Sequence, residues 1–412
     1  MGAPQEDHGH GDHTTETHDK HSADHADHAE HGHDDTDHAE HHDDPCGLHA
    51  AHHTEDEDYD PAPAILHHIA DANEWHITEG VTIPLPCIAF VKGEGLKMFM
   101  SSIFHHGENA HDGFIMNHNR LMKIEEQDFP MGDVHLHNEG HFVVDEESGK
   151  ALLCHEGQIY HASRHDVIRN GFSFSWFDFS ITKNVATLFI TALIMIFLFM
   201  SVAGAYRRRA GLEPRGLQNF MEPLIEFVRD DIAIPNLGDR APKYLPYLMV
   251  VFFFIWIANM LGQLPFIGNP NLTGNITVTL VLSLITFVLT NINGSKDYWV
   301  HTLTAPGTPF LVKLILVPIE ILGVFTKPFA LMIRLFANIS AGHIIVMSLV
   351  SLIFVFGNVG QSLPGSIGGA ALAVPFVIFM GLIELLVAFL QAFIFTMLSA
   401  LFIGLATETH AH

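Results

Sequence analysis

Positive charge is scarce in this chain. Its 412 residues hold 20 Lys and Arg against 46 Asp and Glu, a formal net charge of −26. A nucleic-acid surface needs clustered Lys and Arg, so nucleic acid is excluded as a partner. Cysteine is scarcer still, with only Cys46, Cys87 and Cys154. No two of them form a C-x-x-C pair, so thiolate metal centres and dithiol redox motifs are not indicated. One disulfide in an exported segment and unpaired structural thiols both remain open. Also missing is an apolar leader ahead of the first long hydrophobic run.

What is present divides the chain in two. Of the acidic residues, 36 precede residue 181, together with 8 of the basic ones. The rest is close to neutral and strongly apolar, the pattern of a polytopic membrane domain behind a polar N-terminal part. Residues 1–60 are almost entirely His, Asp, Glu, Ala and Thr, with 15 of the 32 histidines. Such a segment cannot bury enough apolar surface to offset its ordering entropy, so it is expected to be a disordered tail. Three roles stay open for it: metal buffering by imidazole and carboxylate, a solvated tail without purpose, or a proton-collecting antenna.

Residues 61–175 carry short apolar or alternating runs between turn signals, such as VTIPLPCIAFV, LKMFM and HFVVDEESGKALLCHEGQIYHAS. A small β-rich extracytoplasmic domain is expected, with DEESGK turning a hairpin. No catalytic motif stands there. His105 with His106, or His135 with His137, could bind a metal, but exposed loop histidines are the reading adopted. No metal site or cofactor is assigned.

The region 181–412 is read as an all-α polytopic membrane domain. A first span over 183–206 is followed by Arg207, Arg208 and Arg209. The positive-inside rule puts that end in the cytoplasm and the head outside, in the periplasm. A head of that size must cross the membrane, so the expectation is that a signal peptide is missing and Met1 is not the natural start. Export driven by the first span is the alternative. Residues 216–233 have Phe220, Leu224, Phe227 and Val228 at helical spacing among charged residues, the mark of an amphipathic helix on the cytoplasmic surface. Further spans follow at 247–264 and 276–292. The apolar run from 309 to 356 is too long for one upright helix and predicts a strongly tilted one. A last long helix covers 374–405 and leaves the C-terminus in the cytoplasm. About five spans result.

The stretch 331–346, LMIRLFANISAGHIIV, holds Arg334 among apolar and small residues. A cation at a membrane-helix centre costs about 2.5–3.5 kcal/mol on insertion scales, which makes it a functional-site candidate. No carboxylate lies within a turn of it, so its anion belongs to another helix or another subunit. Lys313, Glu320, Lys327 and Arg334 recur every seven residues. Each step drifts only about 20°, so they form one slowly turning stripe. Glu320 and Lys327 are read as lining a cytoplasmic path to Arg334, and Lys313 as an interfacial anchor. Asn338 lies about 40° round from Arg334 on the same helix. Glu384 and Gln391, also seven apart, share a face with the small Ala388 between them. If the two long helices run antiparallel, Glu384 approaches His343, and imidazole, carboxylate and amide together suit a proton path. Two ligands are too few for a metal there.

Arg334-Leu335-Phe336-Ala337-Asn338-Ile339-Ser340-Ala341-Gly342 resembles the R-L-F-x-N-x-x-A-G pattern of subunit a of F-type ATP synthases. GLQN-x-x-E from Gly216, Pro235-Asn236-Leu237-Gly238, Lys243-Tyr244-Leu245-Pro246 and Asn259-Met260-Leu261-Gly262-Gln263-Leu264-Pro265 extend the resemblance over about 210–408. It implies a non-catalytic, proton-translocating stator in a bacterial inner membrane. The implied partners are the c-ring, the subunit b peripheral stalk, the rest of the ATP synthase and the lipid bilayer. It further implies ion translocation through Arg334, Asn338, His343, Glu384, Gln391, Glu320 and Lys327, in two half-channels against the c-ring. His343 stands where the family often has Glu, and Glu384 where it often has His, so the pair is exchanged. The resemblance does not cover the head. Other readings are a Na⁺-coupled subunit a, a secondary transporter, whose internal repeat is not seen, and a metal-binding membrane receptor built on the His-rich tail.

Overall fold

The computed structural model describes residues 61–408, apart from 63–64, 66–68, 79–80, 118, 137–142, 145–150, 165–174, 210, 265–267, 269 and 360. The expectations for the tail 1–60, Cys46 and His137 fall outside the described residues. All described residues belong to one compact unit, Asp44–His412.

The head is β-rich. Strands β1 (Glu74–Thr78) and β2 (Val81–Pro84) pair with each other. Strands β3 (Pro86–Val91) and β4 (Gly95–Met100) form a three-stranded sheet with β12 (Trp176–Asp178). The larger sheet has the order β8-β5-β6-β7-β11-β10-β9, built from Asp133–His135, Asn109–His111, Phe114–Asn117, Arg120–Ile124, Gln158–Ser163, Ala151–His155 and Val143–Val144. The strands flanking the expected hairpin turn do pair, β9 antiparallel to β10 with Val144 opposite Ala151, and the turn itself, 145–150, lies outside the described residues. Strand β3 shows why these runs became strands: Cys87, Ala89 and Val91 are buried in strict alternation. They pack with Phe104, Phe114, Met116 and Trp176. Cys87 is a free thiol, pushed up to about 12 chiefly by burial, which keeps it protonated and unreactive. Cys154 is disulfide-bonded.

Seven helices follow: α1 (Lys183–Arg208), α2 (Leu217–Glu226), α3 (Ala241–Gly262), α4 (Ile276–Ile292), α5 (Lys296–Thr304), α6 (Phe310–Phe356) and α7 (Leu363–Thr407). Their starts are chemically marked. Thr182, Asn275, Ser295 and Ser362 each accept a bond from a first-turn N–H of α1, α4, α5 and α7. The stretches Lys183–Arg208, Leu217–Gly262, Phe310–Phe356 and Leu363–Thr407 are long and apolar enough to cross a membrane. Helices α4 and α5, bent by 100° to one another, make a fifth candidate as a broken span. Large apolar side chains such as Phe310, Leu314, Ile315, Leu322 and Phe325 stay exposed along α6, as a lipid-facing helix requires.

The amphipathic stretch leaves Leu217 and Phe220 exposed and packs its later apolar residues within the protein. Helix α2 continues through a π-helical segment, Phe227–Ala233, and a turn, Ile234–Leu237, to Gly238. Gly238, at φ +54°, turns the chain into α3. Phe227 then packs on Phe252 of α3 and on Phe389 and Phe393 of α7, while Val228 and Ile232 are fully buried. Amphipathicity there serves helix packing within the protein.

Two contacts tie the far end of α7 to this corner. Arg240 donates to the Thr407 carbonyl, and the Asn236 carbonyl lies directly over Gly404. A Cβ at Gly404 would run into that backbone oxygen. Gly404→Ala is therefore expected to destabilise the chain by about 1–3 kcal/mol, the usual cost of overpacking. A lowered melting temperature in detergent relative to Gly381→Ala, where a Cβ meets open space, checks it.

Candidate functional site

Helices α6 and α7 form the long antiparallel pair that the polar residues need. Lys327 meets Phe402, Asn338 meets Gln391, and Gly369 lies against Leu352 and Ile353, so partners descend on one helix as they rise on the other. Helix α6 runs unbroken through Pro318 and Pro328. Small residues let the two backbones close up: Ala373 and Ala388 are buried, and Gly369 has no space for a side chain.

Arg334 sits midway along α6 and is exposed. Among the described residues it makes no ion pair or hydrogen bond. Its outward face also carries Ala330, Ile333, Ala337, Asn338 and Ala341, all exposed. These fall at the three- and four-residue spacings of a single helical face. An arginine framed by alanines on such a face leaves room for another helix to come close.

One turn beyond, the Asn338 amide donates to Gln391 Oε1 at 3.0 Å. Gln391 is only 2% exposed, so this bond satisfies a deeply placed amide. Glu384, on the same face of α7, is half-buried and lies against Gly342. A Cβ at Gly342 would stand 2.5 Å from Glu384 Oε1, so the glycine makes the room for the carboxylate. The next residue, His343, turns its ring toward the end of α3, where Nε2 would be 3.8 Å from a Cβ at Gly262. Glu384 thus meets the residue next to His343, while the His343 ring itself faces α3. Gln263 donates to the Glu384 carbonyl at 2.7 Å.

Toward the other end of α6, Glu320 and Lys327 are half-buried. Glu320 acts electrostatically on both Lys327 and the Tyr298 hydroxyl. Lys327 reaches over the Phe402 ring at 5.5 Å. A pocket at this level is lined by Thr286, Thr290, Asn291, Tyr298, Lys327 and Phe402. Lys313 stands two turns earlier and is also half-buried.

Sequence reasoning missed the polar face of α4. Thr279, Ser283, Thr286 and Thr290 are all buried, and their hydroxyls donate to carbonyls of their own helix or its N-cap. Thr286 also bonds the Tyr247 hydroxyl at 2.6 Å. The 4-3-4 spacing of these hydroxyls was a legible signal for a polar seam facing α6 and α7. In the head, His135 bonds Asn109 at 2.8 Å. His106 does not act with His105, and turns instead toward Glu74.

Two comparisons bear on this arrangement. The sequence model of the ATP synthase A chain family matches residues 185–404, and that of a domain of unknown function matches 64–145. An ATP synthase subunit a 2 from Chlorobaculum tepidum is 50% identical over 238 residues, 56% of this chain and 64% of that relative. An ATP synthase subunit a from Chlorobium phaeobacteroides is 42% identical over 285 residues, 67% of this chain and 80% of the relative. One from Myxococcus xanthus is 44% identical over 243 residues, 57% and 75% of the two chains. The chain thus spans less than two thirds of the length of the first of these.

The Asn338–Gln391 bond generates a stability test. Asn338→Ala leaves the buried Gln391 carbonyl unpaired and is expected to cost about 1–3 kcal/mol. The double change Asn338→Ala with Gln391→Leu removes both partners and is expected to recover most of the loss, as read by thermal melting of the detergent-solubilised chain.

Proposed function

Because the chain belongs to the ATP synthase A chain family, we propose that it is the membrane stator of an F-type ATP synthase, carrying protons past a rotating ring of c subunits. The observation that carries this reading is Arg334, exposed at the centre of a long apolar helix with alanines on either side. A fixed cation on an open helix face calls for an anion from outside the chain. A carboxylate on each ring subunit supplies it.

In this reading the proton reaches the ring from the extracytoplasmic side past Glu384, His343, Gln391 and Asn338. It neutralises a ring carboxylate, and the neutral site turns into lipid. After nearly a full turn the site meets Glu320 and Lys327, beside the pocket with Tyr298, and its proton leaves to the cytoplasm. Arg334 favours the ionised carboxylate by opposite charge and bars a continuous proton wire between the two paths. The membrane potential contributes about 2.3 kcal/mol per charge per 100 mV. The chain itself makes and breaks no bonds, and ATP chemistry belongs to other subunits. The exchanged pair, Glu384 and His343, keeps one carboxylate and one imidazole on the path.

The same reading divides the chain into a tail over 1–60, a β-rich periplasmic domain over 61–175 and the stator domain over 181–412. It places the protein in a bacterial inner membrane with Arg207–Arg209 and the C-terminus in the cytoplasm. Subunit b and the bilayer are its remaining partners.

ATP-driven acidification of inverted vesicles tests the proposal. Arg334→Ala is expected to abolish pumping while the assembly stays intact on native gels. Pumping that persists unchanged in the variant would reduce Arg334 to an anchor and overturn the reading.

A further inference from the structure

We propose that Glu74, His76 and His106 form a divalent-metal site in the head, with Zn²⁺ the ion that fits. One ligand atom from each lies within 4.8 Å of the other two. Glu74 Oε2 is 2.8 Å from His106 Nδ1 and 3.6 Å from His76 Nε2. The two rings are tilted, with centroids 5.7 Å apart.

Glu74 is only 2% exposed, and its ion pairs are with these two imidazoles alone among the described residues. A buried carboxylate needs a cation. A divalent ion bound between the three groups supplies it fully.

The histidines are prepared as ligands. His76 Nδ1 is held by Thr82 Oγ1 at 2.8 Å, which leaves Nε2 to face Glu74. That is the outer-shell bond that fixes tautomer and ring orientation in metal sites. The Asn119 amide stands 3.1 Å from Nε2, so it has to swing aside for an ion to bind there. His105 and His106 hold consecutive left-handed backbones, φ +42° and +60°, a costly conformation for non-glycine residues. It is this turn that carries the His106 ring over Glu74. Two imidazoles and one carboxylate suit Zn²⁺, and both histidines are exposed.

The site lies close to the membrane part. Gly268, in the connection between α3 and α4, packs directly on the His76 carbonyl and near the Trp75 ring. The Pro270 carbonyl, two residues on, closes over Gly262 beside His343. An ion at His76 would brace the connection that closes over Gly262. The proposal does not depend on the stator reading.

The test is zinc retention by the full-length chain, dialysed against a chelator buffer at nanomolar free zinc and counted per chain by elemental analysis. The buffer strips ions held loosely by the His-rich residues 1–60. Wild type is expected to keep a single zinc. Glu74→Gln and His106→Ala are expected to lose it, with affinity falling beyond the roughly 10–100-fold that outer-shell changes bring. Thr82→Val is expected to fall within that range. His111→Ala, whose ring pairs with Asp133 instead, is expected to keep the zinc. His106 is exposed, so an unchanged near-UV spectrum for His106→Ala separates loss of the site from loss of the fold. A wild-type chain without zinc, or equal retention in wild type and His106→Ala, would overturn the proposal.

Discussion

One guanidinium constrains the membrane half of this protein. Arg334 stands on a 47-residue apolar helix, exposed and without a partner among the described residues. An unpaired cation at that depth is tolerable only against an opposite charge or in a polar, wetted groove. The surrounding arrangement serves that requirement. Alanines on the open face keep the approach clear, while Leu331 and Leu335 of the buried face join one core with Ala392 and Phe395 of α7. The charge is thereby held at a fixed place on a stiff rod, and its open face is where the proposed ring carboxylate would compensate it.

The polar groups on either side of the arginine are arranged differently. On one side, amide bonds hold the set together: Asn338 to Gln391, and Gln263 to the Glu384 backbone, with Gly342 making the space for the carboxylate. On the other side, Lys327 and Tyr298 line a pocket between α4, α5, α6 and α7, and Glu320 acts electrostatically on both. Two separated polar zones with a fixed cation between them are what a device needs if it is to load and unload protons without a leak. The head meets the connection between α3 and α4 where Gly268 packs on the His76 carbonyl.

The membrane helices were legible because their signals are local. Hydropathy, capping residues and the three-, four- and seven-residue spacings on α6 and α7 each act within one helix. From them, the approach of Glu384 to His343 followed as a conditional expectation; the structure sets Glu384 against Gly342, the neighbouring residue, and turns the His343 ring toward Gly262. The head was legible only as β-rich. Its strand order joins β7 to β11 and β3 to β12, pairings between distant segments that no local pattern encodes. The same reason hid the cluster of Glu74, His76 and His106. His105 and His106 looked like a pair because they are adjacent, whereas the fold sends His106 to Glu74, 32 residues earlier. The burial of the amphipathic stretch 216–233 against α3 and α7 was likewise a tertiary outcome, since amphipathicity alone does not say whether protein or membrane surface covers the apolar face.

The central claim is that the open alanine face around Arg334 is where a ring subunit sits. A photo-crosslinking residue placed at Ala337, exposed beside Arg334, reads this directly in the assembled complex. Irradiation is expected to join this chain to a ring subunit, identified by mass spectrometry, while the same probe at the fully buried Ala392 gives no such adduct. Adducts at Ala337 only to lipid, or only within this chain, would contradict the account.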